Sequence, residues 1–203
     1  MNYRTLGQSG LAISVLGFGC GAIGGLLVRG DYPAMRQTVA RAIELGVNYF
    51  DTAALYGNGQ SEVNLGAVLR EIGADVLVGT KVRLTRPEEF TQITQTISQG
   101  VEGSLRRLGR ETVDLIQFHN SLGAERNLNR SLVTAADLAE VISAFQTLQQ
   151  QGKIRHWGIT GLGETATLHQ VIQAGGMASV QCCYNLLNPS AGQAVATDFP
   201  YQD

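Results

Sequence analysis

Four ionisable residues of this 203-residue chain stand out by where they fall, and three of them end apolar runs. Val47-Asn-Tyr-Phe leads into Asp51, Val76-Leu-Val-Gly-Thr into Lys81, and Val113-Asp-Leu-Ile-Gln-Phe into His119 and Asn120. The fourth, Tyr56, lies in the loop just beyond Asp51. A carboxylate, an amine, an imidazole and a phenol brought together suit the reduction of a carbonyl. The phenol gives a proton to the carbonyl oxygen as hydride reaches the carbon. A free phenol titrates near pH ~10, too high for easy proton exchange at neutrality. A neighbouring ammonium stabilises the phenolate form, and a carboxylate holds that ammonium in place. A neutral imidazole at the fourth corner can orient the carbonyl. No side chain supplies hydride, so the chemistry requires a cofactor.

Each residue also has a plainer reading. Asp51 could cap the loop that follows it, and Tyr56 could be an amphipathic loop residue. Lys81 could run its stem over the core and keep its charge in water, and His119 could be a satisfied core histidine. Three of them at successive strand ends, with the fourth in the loop just beyond the first, argue against four separate accidents.

The elements that must position them alternate in type. Tyr3–Leu6 and Leu11–Ser14, around Gly7-Gln-Ser-Gly10, read as a hairpin. Val15–Cys20 reads as a first core strand whose glycines suit a close approach to its backbone, and residues 21–25 read as a loop. Asp31 caps a helix over Pro33–Leu45, and a second helix is capped by Ser61. Pro87 opens one long helix whose apolar face runs from Phe90 to Leu108. Residues 121–133 read as a loop, and Thr134 with Asp137 starts another helix that Gly152 stops. A strand over Lys153–Ile159, a short helix around Leu168–Ile172 and a strand over Ala178–Asn185 follow; beyond Leu186 the chain reads as irregular. Strand followed by helix, repeated, implies parallel strands with right-handed crossovers. An open doubly wound sheet is disfavoured, because Gly17-Phe-Gly19-Cys20-Gly-Ala22 lacks the third glycine of a dinucleotide-binding turn. The expected fold is α/β: a (β/α)8 TIM barrel with about six strands present and an N-terminal β-hairpin. Polar residues at the carboxyl ends of barrel strands are where such folds place active sites.

Taken together, these motifs resemble the aldo-keto reductases: Phe50-Asp51-Thr52-Ala53 with Tyr56-Gly57, Gly79-Thr80-Lys81, Asp114 to Asn120, Gly152-Lys-Ile-Arg155 with Gly158-Ile-Thr, and Gln181-Cys-Cys-Tyr-Asn185. The resemblance covers essentially the whole chain. It implies a barrel that binds NADP(H) and reduces aldehydes or ketones, with Tyr56 as proton donor and Lys81 and Asp51 as its tuning pair. By the same resemblance His119 orients the substrate, Asn120 lines its pocket, and Gly19, Cys20, Asp51, Thr160 and Gln181 lie against the cofactor. Gln181 and Thr160 would hold the nicotinamide carboxamide. Two departures stand out: Thr160-Gly161 where relatives usually have Ser-Asn, and Gly21 where they often carry an aromatic.

The resemblance also implies eight strands and about 250 residues or more, against six legible strands in 203 residues. The chain is therefore expected to be a single domain over 1–203, truncated at its C-terminus, with strands seven and eight and their phosphate-gripping loops absent. Unpaired barrel edges then invite self-association. Two rival readings remain: a non-catalytic fragment or partner subunit, as potassium-channel β subunits resemble this family, and a barrel isomerase or aldolase using Lys81 as a Schiff-base amine. Formal charge of -2 and no large Lys/Arg cluster give no case for nucleic acid or an anionic membrane. Three cysteines, two of them adjacent, read as reduced thiols in a cytoplasmic protein, and no Cys-x-x-Cys pair suggests a metal.

Overall fold

The computed structural model describes residues 1–21 and 23–194. The chain opens on an antiparallel hairpin, β1 (Tyr3–Thr5) with β2 (Ala12–Ser14). Next come β3 (Phe18–Gly19), α1 (Leu26–Arg29), α2 (Tyr32–Glu44), β4 (Tyr49–Asp51), α3 (Gln60–Ile72) and β5 (Leu77–Val82). A 3-10 turn over Pro87–Thr91 precedes α4 (Ile93–Leu108) and β6 (Val113–Phe118). A small excursion holds β7 (Ser121–Leu122), a 3-10 turn over Leu128–Arg130 and β8 (Leu132–Val133). The chain continues with α5 (Ala135–Gln150), β9 (Ile154–Thr160), α6 (Thr165–Ala174) and β10 (Ser179–Gln181).

Six strands form one parallel sheet in the order β10-β9-β6-β5-β4-β3, which is chain order once the β7–β8 excursion is set aside. This is a six-stranded arc of a (β/α)8 barrel, with β3 and β10 at its two edges among the described residues. Paired residues on parallel strands point the same way, so the register sorts side chains into two faces. Phe50 with Val78, Thr80 with Ile116, and Phe118 with Ile159 face outward. There they meet the buried stripes of the helices, such as Val68 and Leu69 of α3, Ile97 and Val101 of α4, and Val141 and Phe145 of α5. Gly19, Asp51, Lys81, Gln117, Gly158, Thr160 and Gln181 face the concave side. Tyr49 fills that side above Gly79, where a Cβ would sit 2.2 Å from the Tyr49 hydroxyl.

Local signals account for most helix ends. Asp31 accepts from the Ala34 amide at 2.9 Å and caps α2. Thr134 and Asp137 form the reciprocal box that opens α5. Gly109 takes the left-handed conformation that ends α4, with φ 64°.

Several expectations are corrected. The first core strand shrinks from Val15–Cys20 to Phe18–Gly19, because Val15 and Leu16 turn to solvent as the chain leaves the hairpin. The long helix from Pro87 breaks at Gln92: Glu89 folds back onto the Thr85 and Arg86 amides and closes a separate short turn. Ser61 is not a cap; α3 starts at Gln60 behind Gly59, and Ser61 is buried inside it. The 121–133 loop carries two short paired strands. The last strand stops at Gln181, where the Gly161 amide makes its closing bond to the Gln181 carbonyl at 2.7 Å. The reading of the chain from Val195 on lies outside the described residues.

The hairpin closes the amino-terminal end of the arc. Asn48 accepts from the Ser14 amide at 2.7 Å and donates to the Ala12 carbonyl at 2.9 Å. The Gln8 amide reaches the Ala178 carbonyl at 2.8 Å.

Candidate active site

The residues with chemistry collect at the opposite end, where β4, β5 and β6 finish. Lys81 is the hub. Its ammonium donates to Asp51 Oδ2 at 2.6 Å, to the Thr52 carbonyl at 2.8 Å and to Tyr56 Oη at 3.4 Å. An ammonium has three hydrogens, and all three are used. The Lys81 side chain is 2 % exposed and its Asp51 partner 18 %, so the charge is neutralised where it is desolvated.

Tyr56 is delivered by a sharp turn. Gly57, Asn58 and Gly59 take φ of 60°, 53° and 89° in succession, a path open to glycine and tolerated by asparagine. The Thr52 side chain is in turn held from behind. The Thr52 and Ser61 hydroxyls lie 2.9 Å apart, and Ser61 Oγ donates to the Cys20 carbonyl at 2.9 Å. This buried pair of hydroxyls ties the ends of β3 and β4 to α3.

His119 stands edge-on to Tyr56, with ring centroids 6.2 Å apart and planes at 86°. Burial first, then the charges of Lys81 and Arg83, pull its pKa down to about 4. The imidazole is therefore neutral at physiological pH and presents one donor and one acceptor. Because Tyr56 Oη accepts from the ammonium, its own hydrogen is left for another acceptor.

The remaining sequence candidates occupy distinct positions. Asn120 is 1 % exposed, and its amide is engaged by backbone. It accepts from the Leu84 amide at 2.8 Å and donates to the Leu84 and Ser131 carbonyls at 2.8 and 3.3 Å. Thr160 is buried and donates to the Phe118 carbonyl at 3.2 Å. Gln181 is exposed and reaches Asp51 Oδ2 at 3.3 Å from across the arc. Cys20 is buried, and burial pushes its thiol up to about 12. Gly21 lies beside Tyr56, where a Cβ would meet the ring at 3.8 Å.

The sequence reading missed the Thr52–Ser61 hydroxyl pair and Arg83. The only local signal for Arg83 is its place two residues after Lys81, which sends both side chains to one face. Two shallow polar hollows lie at the far end of the strands. One is bordered by Gln8, Gln149 and Trp157, the other by Asn48, Asp75 and Arg110, and neither meets the groups above. Among the described residues no set of three or more His, Cys, Asp or Glu is placed to hold a metal ion. No helix among them is long and apolar enough to cross a membrane.

The residues present fit the nicotinamide end of a dinucleotide. The Gln181 amide is exposed beside Asp51, and a Cβ at Gly19 would meet nothing within 4 Å, so a flat ring has room and a polar partner.

A parallel α/β arc thus brings a lysine, a carboxylate, a phenol and an imidazole together at one end of its strands. Comparison makes the assignment specific: residues 15–197 match the aldo/keto reductase family, and the chain belongs to that family. It is 34% identical over 163 residues to L-galactose dehydrogenase of Arabidopsis thaliana, covering 78% of this chain and 48% of that protein. It is 31% identical over 202 residues to a putative voltage-gated potassium channel subunit beta of Schizosaccharomyces pombe, covering 94% and 52%. The holo form of an aldo-keto reductase from Bacillus halodurans superposes with TM-score 0.70 at 31% identity, over 91% of this chain and 58% of that one. The glycerol dehydrogenase of Gluconobacter oxydans gives TM-score 0.71 at 26% identity, over 93% and 57%. The chain spans about half the length of these relatives.

Proposed function

We propose that this chain carries the proton-transfer half of an NADPH-dependent carbonyl reductase acting on a small aldehyde or ketone. The observation that carries the reading is the Lys81 ammonium shared between Asp51 at 2.6 Å and Tyr56 Oη at 3.4 Å. In this reading the substrate oxygen lies between Tyr56 and His119. His119, neutral, donates a hydrogen bond that fixes the carbonyl. Tyr56 then releases its proton to that oxygen, and the Lys81 charge stabilises the phenolate left behind. Asp51 holds Lys81 under the phenol. NADPH, when bound, supplies the hydride that no side chain can. Gln181, Thr160 and the backbone at Gly19 and Cys20 would hold its nicotinamide end. Family resemblance supports NADP over NAD, one domain and a cytoplasmic setting; anchors for the cofactor phosphates are expected on loops after strands seven and eight.

The ion pair to Asp51 disfavours the Schiff-base alternative, since a paired ammonium is a poor nucleophile. Likeness to a channel β subunit supports a second reading, a non-catalytic partner protein. One variant separates them. Tyr56→Phe is expected to lower NADPH-dependent reduction by roughly a hundredfold or more while leaving the melting curve and NADPH fluorescence titration unchanged. Near-normal turnover in that variant would overturn the assignment.

A further inference from the structure

Arg83 is a cation at the site that the chemistry above does not use. It follows β5 directly. The register pairs Val82 with Phe118, so the next residues, Arg83 and His119, stand side by side. The His119 amide donates to the Val82 carbonyl at 2.8 Å, which fixes that placement. Side chains alternate along an extended chain, so Arg83 leaves on the same side as Lys81. Its charge reaches the imidazole, where it adds to the effects of burial and Lys81 on His119.

Among the described residues no carboxylate forms an ion pair with Arg83. Asp51 is taken by Lys81, and the buried acids Glu62, Glu89, Asp114 and Asp137 pair with Arg107, Arg86, Arg110, Arg155 and Arg126. With Asp51 and Lys81 cancelling and His119 neutral, Arg83 leaves the site with a formal charge of about +1. The guanidinium is also held in place: its Nη2 donates to the Ser131 hydroxyl, while its Nε is buried without a partner. Ser131 is kept in the left-handed region at φ 56°, and Asn120 binds its carbonyl at 3.3 Å. Backbone strain at Ser131 and a buried, unpartnered Nε on a part-buried cation are both unfavourable in the free protein, and such costs concentrate at ligand sites.

We propose that Arg83, oriented by Ser131, is a specificity-determining residue that binds a carboxylate on the substrate, a short spacer away from the carbonyl that Tyr56 and His119 address. The substrate class is thus an aldehyde or keto acid. A guanidinium edge matches a carboxylate in a way that an ammonium cannot. This rests on the reductase reading above, and a binding experiment separates the two.

The probe is 4-hydroxybutanoate, an alcohol that carries a carboxylate, titrated calorimetrically into the full chain beside 1-butanol, its uncharged counterpart. Wild type is expected to bind 4-hydroxybutanoate at least roughly tenfold more tightly than Arg83→Met, with 1-butanol unaffected by the change. Arg83→Lys keeps the charge without the fork and serves if the methionine variant does not fold; it is expected to fall between. NADPH affinity is expected to stay the same in both variants. Equal binding of 4-hydroxybutanoate to wild type and variant would overturn the proposal. So would inorganic phosphate binding as tightly as the carboxylate, or a loss confined to NADPH, which would make this a cofactor phosphate contact. If wild type reduces no aldehyde yet binds the acid through Arg83, the reductase reading fails and the anion site stands.

Discussion

The Lys81 ammonium has no hydrogen to spare, so each partner it loses leaves a desolvated charge less well satisfied. Asp51→Asn removes the countercharge from a lysine that is 2 % exposed. It is expected to cost about 3 kcal/mol in denaturant unfolding, the lower end of the range for a broken buried pair because Asp51 keeps some contact with water. His119 supplies a pH test. Its pKa in the folded protein, about 4, lies below its ordinary 6.5, so the unfolded chain takes up the proton first as pH falls. Its contribution to stability is full above pH ~6.5 and is lost progressively between there and pH ~4. Unfolding midpoints measured across that window are expected to fall, and His119→Asn is expected to flatten part of the slope. The three thiols offer a third. Cys182 and Cys183 are exposed while Cys20 is buried with its pKa raised to about 12. Brief treatment of the native protein with iodoacetamide, followed by peptide mass mapping, should find label on Cys182 and Cys183 and none on Cys20.

At the scale of elements, the helices are held close by missing side chains as much as by present ones. Gly66 of α3 lies against the end of α4, where an added Cβ would be 2.3 Å from the Leu108 carbonyl oxygen. Alanine favours a helix over glycine by about 1 kcal/mol. Here that gain is outweighed, since the obstacle is backbone and overpacking costs typically 1–3 kcal/mol. Gly66→Ala is therefore expected to lower the thermal midpoint, and a rise would show that the α3–α4 contact gives way. How far the sequence disclosed these elements depended on the range of the forces involved. The Asp31 cap, the Thr134–Asp137 box and the Gly109 stop are decided within a few residues, and they were legible. So was the delivery of Asp51, Lys81 and His119, because strand ends are marked by apolar runs. The Pro87 helix was misread because an apolar period continues smoothly from Phe90 through Ile93, while the break comes from Glu89 folding back on backbone amides. Ser61 has the chemistry of a cap, but its hydroxyl is used 41 residues away at the Cys20 carbonyl. Arg83 finds Ser131 across 48 residues, a contact with no trace in local sequence.

At the scale of the molecule, the six-stranded arc has β3 on one side and β10 on the other, each paired on one edge only among the described strands. Leu186 and Leu187, just past β10, and Val15 and Leu16, just before β3, are exposed. Unpaired edges flanked by apolar surface favour association. The 203-residue chain on its own is expected to sediment as concentration-dependent oligomers; a single monomeric boundary over the accessible concentration range would rule that out. The hairpin bears on a different matter, the order in which the chain comes together. Its residues leave the ribosome ahead of the sheet strands, and β3 and β4 can pair soon afterwards. Yet Gln8 bonds to Ala178, a partner synthesised 170 residues later. A closure over that span is slow compared with local pairing. The hairpin therefore waits, tethered at Asn48, and settles into its final place only after the strands from β3 to β9 have been made.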